Sequence, residues 1–198
     1  MTTTNASRPP HNGQLSDLPG NSVLITGHDD STGKAIVHST RDVPFQPYDN
    51  DQMSMGVVYT TNFPANLDKD SDINAHDNLL SGNKLGLVHP GGTVCRTVDF
   101  GPGYTCMMHR TQSLDYGIVV EGEIEMLLDS GETKKMGRGD VAVQRATMHA
   151  WKNVTPNDGW ARMIFVLQDC QKPEIMGQKL GEDLGVGVEG LPASGHDQ

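Results

Sequence analysis

From residue 91 onward, short β-type runs alternate with turns at intervals of roughly eight to twelve residues, the rhythm of an all-β domain. Residues 123–129 show it best. Ile124, Met126 and Leu128 alternate with Glu123, Glu125 and Asp129, the period of two expected of a half-buried strand. Runs at 93–100, 104–110, 116–121, 133–136, 141–144 and 149–153 read as further strands. Residues 161–168 are almost continuously apolar, which predicts a strand covered on both faces. Gly101-Pro102-Gly103, Gly122-Glu123, Asp129-Ser130-Gly131-Glu132 and Gly137-Arg138-Gly139-Asp140 supply the turns. Within the last of these, Arg138-Gly139-Asp140 spells an adhesion tripeptide, but it reads here as turn chemistry. The spacing predicts an antiparallel sandwich or barrel.

Upstream the pattern is weaker. Residues 22–26 and 35–39 read as a hairpin about the turn at 27–33, and 55–61 as a strand. An isolated hairpin is marginally stable, so this one is expected to pack on the barrel or on a second subunit. Residues 66–83, rich in Asp, Asn and Ser, read as a surface loop. Residues 1–20 carry no periodicity and read as a disordered tail. Residues 173–198 read as a short helix near 174–180 followed by a loose tail. The expected organisation is one β-domain over 21–172 with appendages at both ends.

Composition narrows the function. The chain has 198 residues, Gly 23 and Pro 11 with 35% hydrophobic content, which favours many turns over a helical bundle. A net charge of −10 argues against nucleic-acid binding, which needs a basic surface, and disfavours anionic membranes. Cys95, Cys106 and Cys170 are an odd number without metal-type spacing, the N-terminus lacks a signal-peptide core, and no apolar run approaches the roughly 20 residues of a membrane helix. The expectation is a soluble, cytoplasmic protein with reduced thiols.

Candidate chemistry lies in two stretches, 103–122 and 139–153, separated by a tight hairpin. On a regular strand Met107, His109 and Thr111 share one face, and Cys106, Met108 and Arg110 the other; Thr147, His149 and Trp151 share a face of the later strand. A buried imidazole needs a partner, because an unpaired buried polar group costs about 1–3 kcal/mol. Two such histidines converging with Asp115 would make a site for a divalent metal. His28, His38, His76 and His89 have no partners at ligand spacing and read as surface or turn residues.

Gly103-x5-His109-x-Thr111-x3-Asp115-x6-Gly122 resembles the first motif of the cupin superfamily, G-x5-H-x-H-x3,4-E-x6-G, and residues 139–153 resemble the second, G-x5-P-x-G-x2-H-x3-N, through Gly139, His149 and Asn153. The wording around His109-Arg110-Thr111 looks like one small single-domain subgroup of cupins. The resemblance implies an all-β, cupin-type double-stranded β-helix (jelly-roll) barrel, with the N-terminal hairpin and a short C-terminal helix added. Departures from the motifs bear on the metal. Thr111 stands where a histidine ligand usually lies, and Asp115 replaces glutamate. Arg145 and Thr147 stand where proline and glycine are usual, and His149 comes one residue early. At most three ligands remain: His109, Asp115 and His149.

Those three are the expected metal-binding and catalytic residues, with Zn, Fe, Mn or Ni as candidates. Thr111, Tyr116, Arg145 and Trp151 are expected around a small-molecule substrate, with Arg145 suited to a substrate carboxylate. Cys106 is expected to point outward and be inert. A two-histidine, one-carboxylate site suits decarboxylation, dehydration or isomerisation by stabilising a carbanion-like state, and similar cupins tailor polyketide-like or aromatic acids. The same ligands match Fe(II) dioxygenases. A metal-free binding barrel and a structural dimer are the non-enzymatic alternatives. A homodimer is expected, with the hairpin at 22–39 packed across a partner.

Overall fold

The computed structural model describes residues 8–82 and 85–196. Its strands are β1 (Ser22–His28), β2 (Ala35–Asp42), β3 (Phe45–Tyr48), β4 (Met53–Asn62), β5 (Gly92–Phe100), β6 (Ser113–Glu121), β7 (Ile124–Leu128), β8 (Thr133–Met136), β9 (Val141–Arg145), β10 (His149–Asn153), β11 (Ala161–Asp169), β12 (Glu174–Ile175) and β13 (Gln178–Lys179), and α1 spans Ser71–Ser81. Every strand pairing is antiparallel. A six-stranded sheet runs β3-β4-β5-β11-β6-β9, and a three-stranded sheet runs β10-β7-β8. One core joins them: Val98, Phe100, Met163 and Phe165 of the large sheet pack in one cluster with Ile124, Met136 and Trp151 of the small one. The all-β cupin barrel expected from the motifs is the observed fold.

The apolar run at 161–168 becomes β11, the centre of the large sheet, hydrogen-bonded to β5 on one side and β6 on the other. Ala161, Met163, Phe165 and Leu167 are buried and Ile164 and Val166 half-buried, which is why the run shows no alternation. Fully burying an aliphatic or aromatic side chain of this size contributes about 1.5–3 kcal/mol.

Two motif residues hold corners. Gly122 lies at φ +75°, and a Cβ there would meet Thr155 Oγ1 at 2.4 Å, so the β6–β7 turn admits no side chain. Asn153, 1% exposed, donates its amide to the carbonyls of Phe100, Gly101 and Gly159, each at 2.9 Å. It thereby staples the ends of β5 and β10 together.

The appendages differ from expectation. Residues 1–7 of the expected disordered tail lie outside the described residues, but residues 8–20 are anchored. Ser16, 3% exposed, donates to Asp99 Oδ2 at 2.5 Å, and Leu15 N–H donates to Ser54 Oγ at 3.4 Å. Asp99 in turn binds Arg162 in bidentate fashion at 2.5 and 2.7 Å, while Arg162 reaches Pro19 O at 2.6 Å. A buried ion pair that lacks enough partners in the sheets recruits them from the N-terminal strap.

The polar segment expected as a loop at 66–83 contains α1; Asn83 itself lies outside the described residues. Ile73 and His76 form its buried face, and Leu79 and Leu80 extend it at helical spacing. Polar tethers complete the docking: Tyr59 Oη donates to Asp72 at 2.7 Å, Thr60 Oγ1 pairs with His76 Nδ1 at 2.9 Å, and Arg41 binds Asp77 at 2.5 Å. Such tethers are tertiary and leave no periodic trace in the sequence.

No C-terminal helix forms among the described residues. Residues 174–179 make the β12–β13 hairpin, with Met176 and Gly177 at positive φ in its turn. The expected loose tail is docked as far as residue 196. Ser194 Oγ accepts from Val88 N–H at 3.0 Å and donates to Glu182 at 2.5 Å, and His196 pairs with Asp169 at 2.8 Å.

Candidate active site

Residues 104–110 run beside β10, and an antiparallel bridge brings the two motif histidines opposite each other. His109 N–H donates to His149 O and His149 N–H to His109 O, both at 2.9 Å. In such a doubly bonded pair both side chains leave the same face of the ladder. The imidazole centroids accordingly lie 4.4 Å apart with the rings 47° from parallel. Trp151, two residues on along β10, meets His149 edge-on at 5.3 Å.

Each imidazole is oriented by its own strand. His109 Nδ1 lies 2.9 Å from Met107 O, and His149 Nδ1 lies 2.8 Å from Thr147 O. Since a carbonyl only accepts, each Nδ1 carries the proton and each Nε2 keeps a free lone pair. Burial lowers the pKa of both rings, and for His149, with the neighbouring His109 as a second cause, it falls to about 4. Both rings are neutral at physiological pH.

Asp115 lies in β6, 3% exposed, at the wall of the same cavity. Thr111 Oγ1 donates to its Oδ2 at 3.1 Å. Burial raises this carboxyl to about 6, against the opposing pull of the Ser113 and Thr111 hydroxyls and of Arg96. Ser113 is near enough to exert that pull, yet Asp115 Oδ1 and Ser113 Oγ make no well-directed hydrogen bond.

The cavity these groups share has a volume of about 60 Å³, room for a few waters or the head of a small ligand. Met53, Met55, Val98, Phe165 and Leu167 make its apolar walls, and Val188 and Leu191 from the C-terminal segment also line it. That segment is hydrogen-bonded back onto the site: Arg110 and Asp183 exchange backbone bonds at 2.7 and 2.8 Å, and Arg110 Nε donates to Gly181 O at 2.8 Å.

Of the residues expected here, His109, His149, Asp115, Thr111 and Trp151 all line the cavity, but Tyr116 and Arg145 do not. Tyr116 is 43% exposed, because it follows Asp115 in β6 and takes the opposite face. Arg145 is exposed at the end of β9, on the edge of the large sheet. Cys106, expected outward, is buried and lines the cavity; burial pushes its thiol up to about 11. The reason is a change of register. Thr105 bridges Lys152 whereas His109 bridges His149, so strict alternation breaks between them. Sequence reasoning also missed Arg96. It is buried and stands between Val94 and Val98 on the inward row of β5, and that parity was the available signal.

The donors fit a divalent metal as a two-imidazole base, with both Nε2 lone pairs free and both Nδ1 atoms held by carbonyls. They do not form a preformed three-donor cage. Among the described residues no group of three or more His, Cys, Asp or Glu is disposed to hold an ion, and Asp115 is engaged by Thr111.

Comparison with known proteins defines the class. No family model matches the chain. It is 42% identical over 165 residues to the cupin-domain-containing oxidoreductase fogC of Aspergillus ruber, covering 81% of this chain and 78% of that protein. It is 44% identical over 137 residues to the phomopsin biosynthesis cluster protein D of Diaporthe leptostromiformis, covering 69% and 71%. With the oryzines biosynthesis cluster protein J of Aspergillus oryzae the identity is 40% over 145 residues, covering 71% and 80%. Among solved structures, the cupin domain of Schizosaccharomyces pombe Cnp3 aligns with a TM-score of 0.46 at 11% identity over 76% of this chain and 88% of that one. The chain belongs to the cupin superfamily.

Proposed function

We propose that this cupin is a small-molecule tailoring enzyme of secondary metabolism, performing redox-neutral chemistry (decarboxylation, dehydration or isomerisation) on a small aromatic or polyketide-like acid. One observation carries the reading: two neutral imidazoles, each with Nε2 free, share a mainly apolar cavity with a buried carboxyl group. Relatives named for biosynthesis clusters support the metabolic setting. Held by His109 and His149, a divalent ion (Zn, Fe, Mn or Ni) would supply Lewis-acid polarisation of a substrate oxygen. The chain's own groups do the rest. Asp115 exchanges a proton with the substrate, Thr111 fixes the Oδ2 face of that carboxyl, and Trp151 with the aliphatic walls excludes water from a charged intermediate.

A second reading is an oxygen-dependent oxidoreductase, favoured by the names of several relatives and compatible with two histidines that leave coordination positions open. Turnover under argon separates the two, since redox-neutral chemistry proceeds without oxygen and oxygenation stops. Metal analysis tests the ligands. Near one equivalent of metal is expected, lost in His109→Ala and in His149→Ala and retained in His76→Ala. Metal-free protein whose stability ignores chelators would instead favour a binding module, the reading to which Thr111 at a usual ligand position points.

The proposed assembly is a cytoplasmic homodimer. No helix among the described residues is long and apolar enough to cross a membrane. The β1–β2 hairpin leaves Leu24 and Val37 at 61% and 59% exposure on one face, an apolar strip suited to a second copy.

A further inference from the structure

Two arginines are buried in this barrel, and they are treated differently. Arg162 has the bidentate Asp99 carboxylate and the Pro19 carbonyl. Arg96, 4% exposed in the middle of β5, has only Nη2 engaged, donating to Gly86 O at 2.6 Å and Leu87 O at 3.0 Å. Its buried Nε has no partner. No described carboxylate lies within the 4.0 Å of an ion pair. Asp115 attracts it across the cavity without touching it.

A guanidinium left half-satisfied in an apolar interior is costly, and its planar fork matches a carboxylate that would complete it. Arg96 lines the same cavity as His109 and His149, among Met53, Met55, Val98 and Leu167. We propose that Arg96 is the anchor for an anionic carboxylate on the ligand of this cavity, whose apolar remainder lies along the aliphatic walls beside the histidine pair. Calling that ligand a substrate rests on the enzymatic reading above; the anchor itself does not. It takes the role that the sequence offered to Arg145, which is exposed on the sheet edge.

The test uses the full chain and a matched pair of probes, benzoate and benzamide, which share shape and differ in charge. Binding is followed by calorimetry and tryptophan fluorescence, with and without EDTA. Benzoate is expected to bind roughly tenfold to a hundredfold more tightly than benzamide, as a charge-assisted hydrogen-bond pair requires. That preference is expected to survive EDTA, collapse in Arg96→Gln and be partly kept in Arg96→Lys. Equal binding of the two probes, or a preference that persists in Arg96→Gln, overturns the anchor. So does a preference that EDTA abolishes, since the carboxylate would then be sitting on a metal. Because Arg96→Gln also frees the Gly86 and Leu87 carbonyls and can destabilise the fold, a crystal of the wild-type protein with benzoate gives an independent reading. A carboxylate on the Arg96 guanidinium supports the anchor, and one elsewhere overturns it. The two readings fail separately: carboxylate selectivity through Arg96 in a protein that turns nothing over would sink the enzyme and leave the anchor standing.

Discussion

Replacing Asp115 by asparagine removes one charge from a site where burial disfavours it while keeping the shape of the side chain. The Asp115 carboxyl titrates at about 6 in the folded protein against 3.8 for an ordinary aspartate. Between those values the folded state binds more protons than the unfolded one, so this group's contribution to stability falls as pH rises toward 6 and stays low above it. Two pH units at 1.36 kcal/mol each make the deficit about 3 kcal/mol at pH 8. Asparagine carries no charge, can still accept from Thr111 and can donate to the unpartnered Ser113 Oγ. Asp115→Asn is therefore expected to be more stable than the parent by about 2–3 kcal/mol at pH 8, roughly 5–10 °C in Tm for a chain of this size, and equal to it near pH 4. Thermal unfolding followed by circular dichroism at pH 4, 6 and 8 in EDTA measures this. A variant less stable than the parent at pH 8, or a difference that does not vary with pH, would refute the claim that the carboxylate is poorly solvated. The same substitution is expected to abolish turnover, the usual trade of stability for function.

Other expectations follow from neighbouring groups. His149, held near 4 in the folded state against 6.5, contributes stability above pH 6.5 that is lost as pH falls toward 4, about 3 kcal/mol in full. Asp115 runs the opposite way over nearly the same window and offsets part of the loss from the buried histidines in the parent; urea melts should therefore show Asp115→Asn losing stability more steeply than the parent from pH 6 to 4, and an equal slope would contradict it. Asp99→Ala leaves Arg162 buried without its carboxylate and frees Ser16, and should cost about 3–5 kcal/mol. It should also release residues 8–20 to proteolysis; an unchanged cleavage pattern would show that the strap is held otherwise. Truncation to residue 43 should turn a dimer into a monomer by light scattering, and a full-length chain that is already monomeric would sink the proposed assembly.

Much of the fold was legible because barrel strands in this chain announce themselves. Ile124 and Met126 alternate with Glu123 and Glu125 before Leu127 interrupts the pattern, and glycines at positive φ close the turns. His109 and His149 could be singled out from their motif positions, as could Trp151 and Asp115. What misled was anything that depended on a partner distant in sequence. The helix over 71–81 looks like a loop until Tyr59, Thr60 and Arg41 reach it. The N-terminal strap looks disordered until Asp99 claims Ser16.

The order of apolar and polar residues was enough to determine that this chain forms antiparallel strands and where most of them turn, because periodicity and turn chemistry are local properties of the backbone, while the motif resemblance singled out the two histidines. Only the tertiary structure decided that Cys106 faces inward, that Thr111 donates to Asp115 at the cavity wall, and that Arg96 rather than Arg145 reaches the cavity. Those outcomes turn on a one-residue change of register and on which sheet faces which, and long-range pairing sets both.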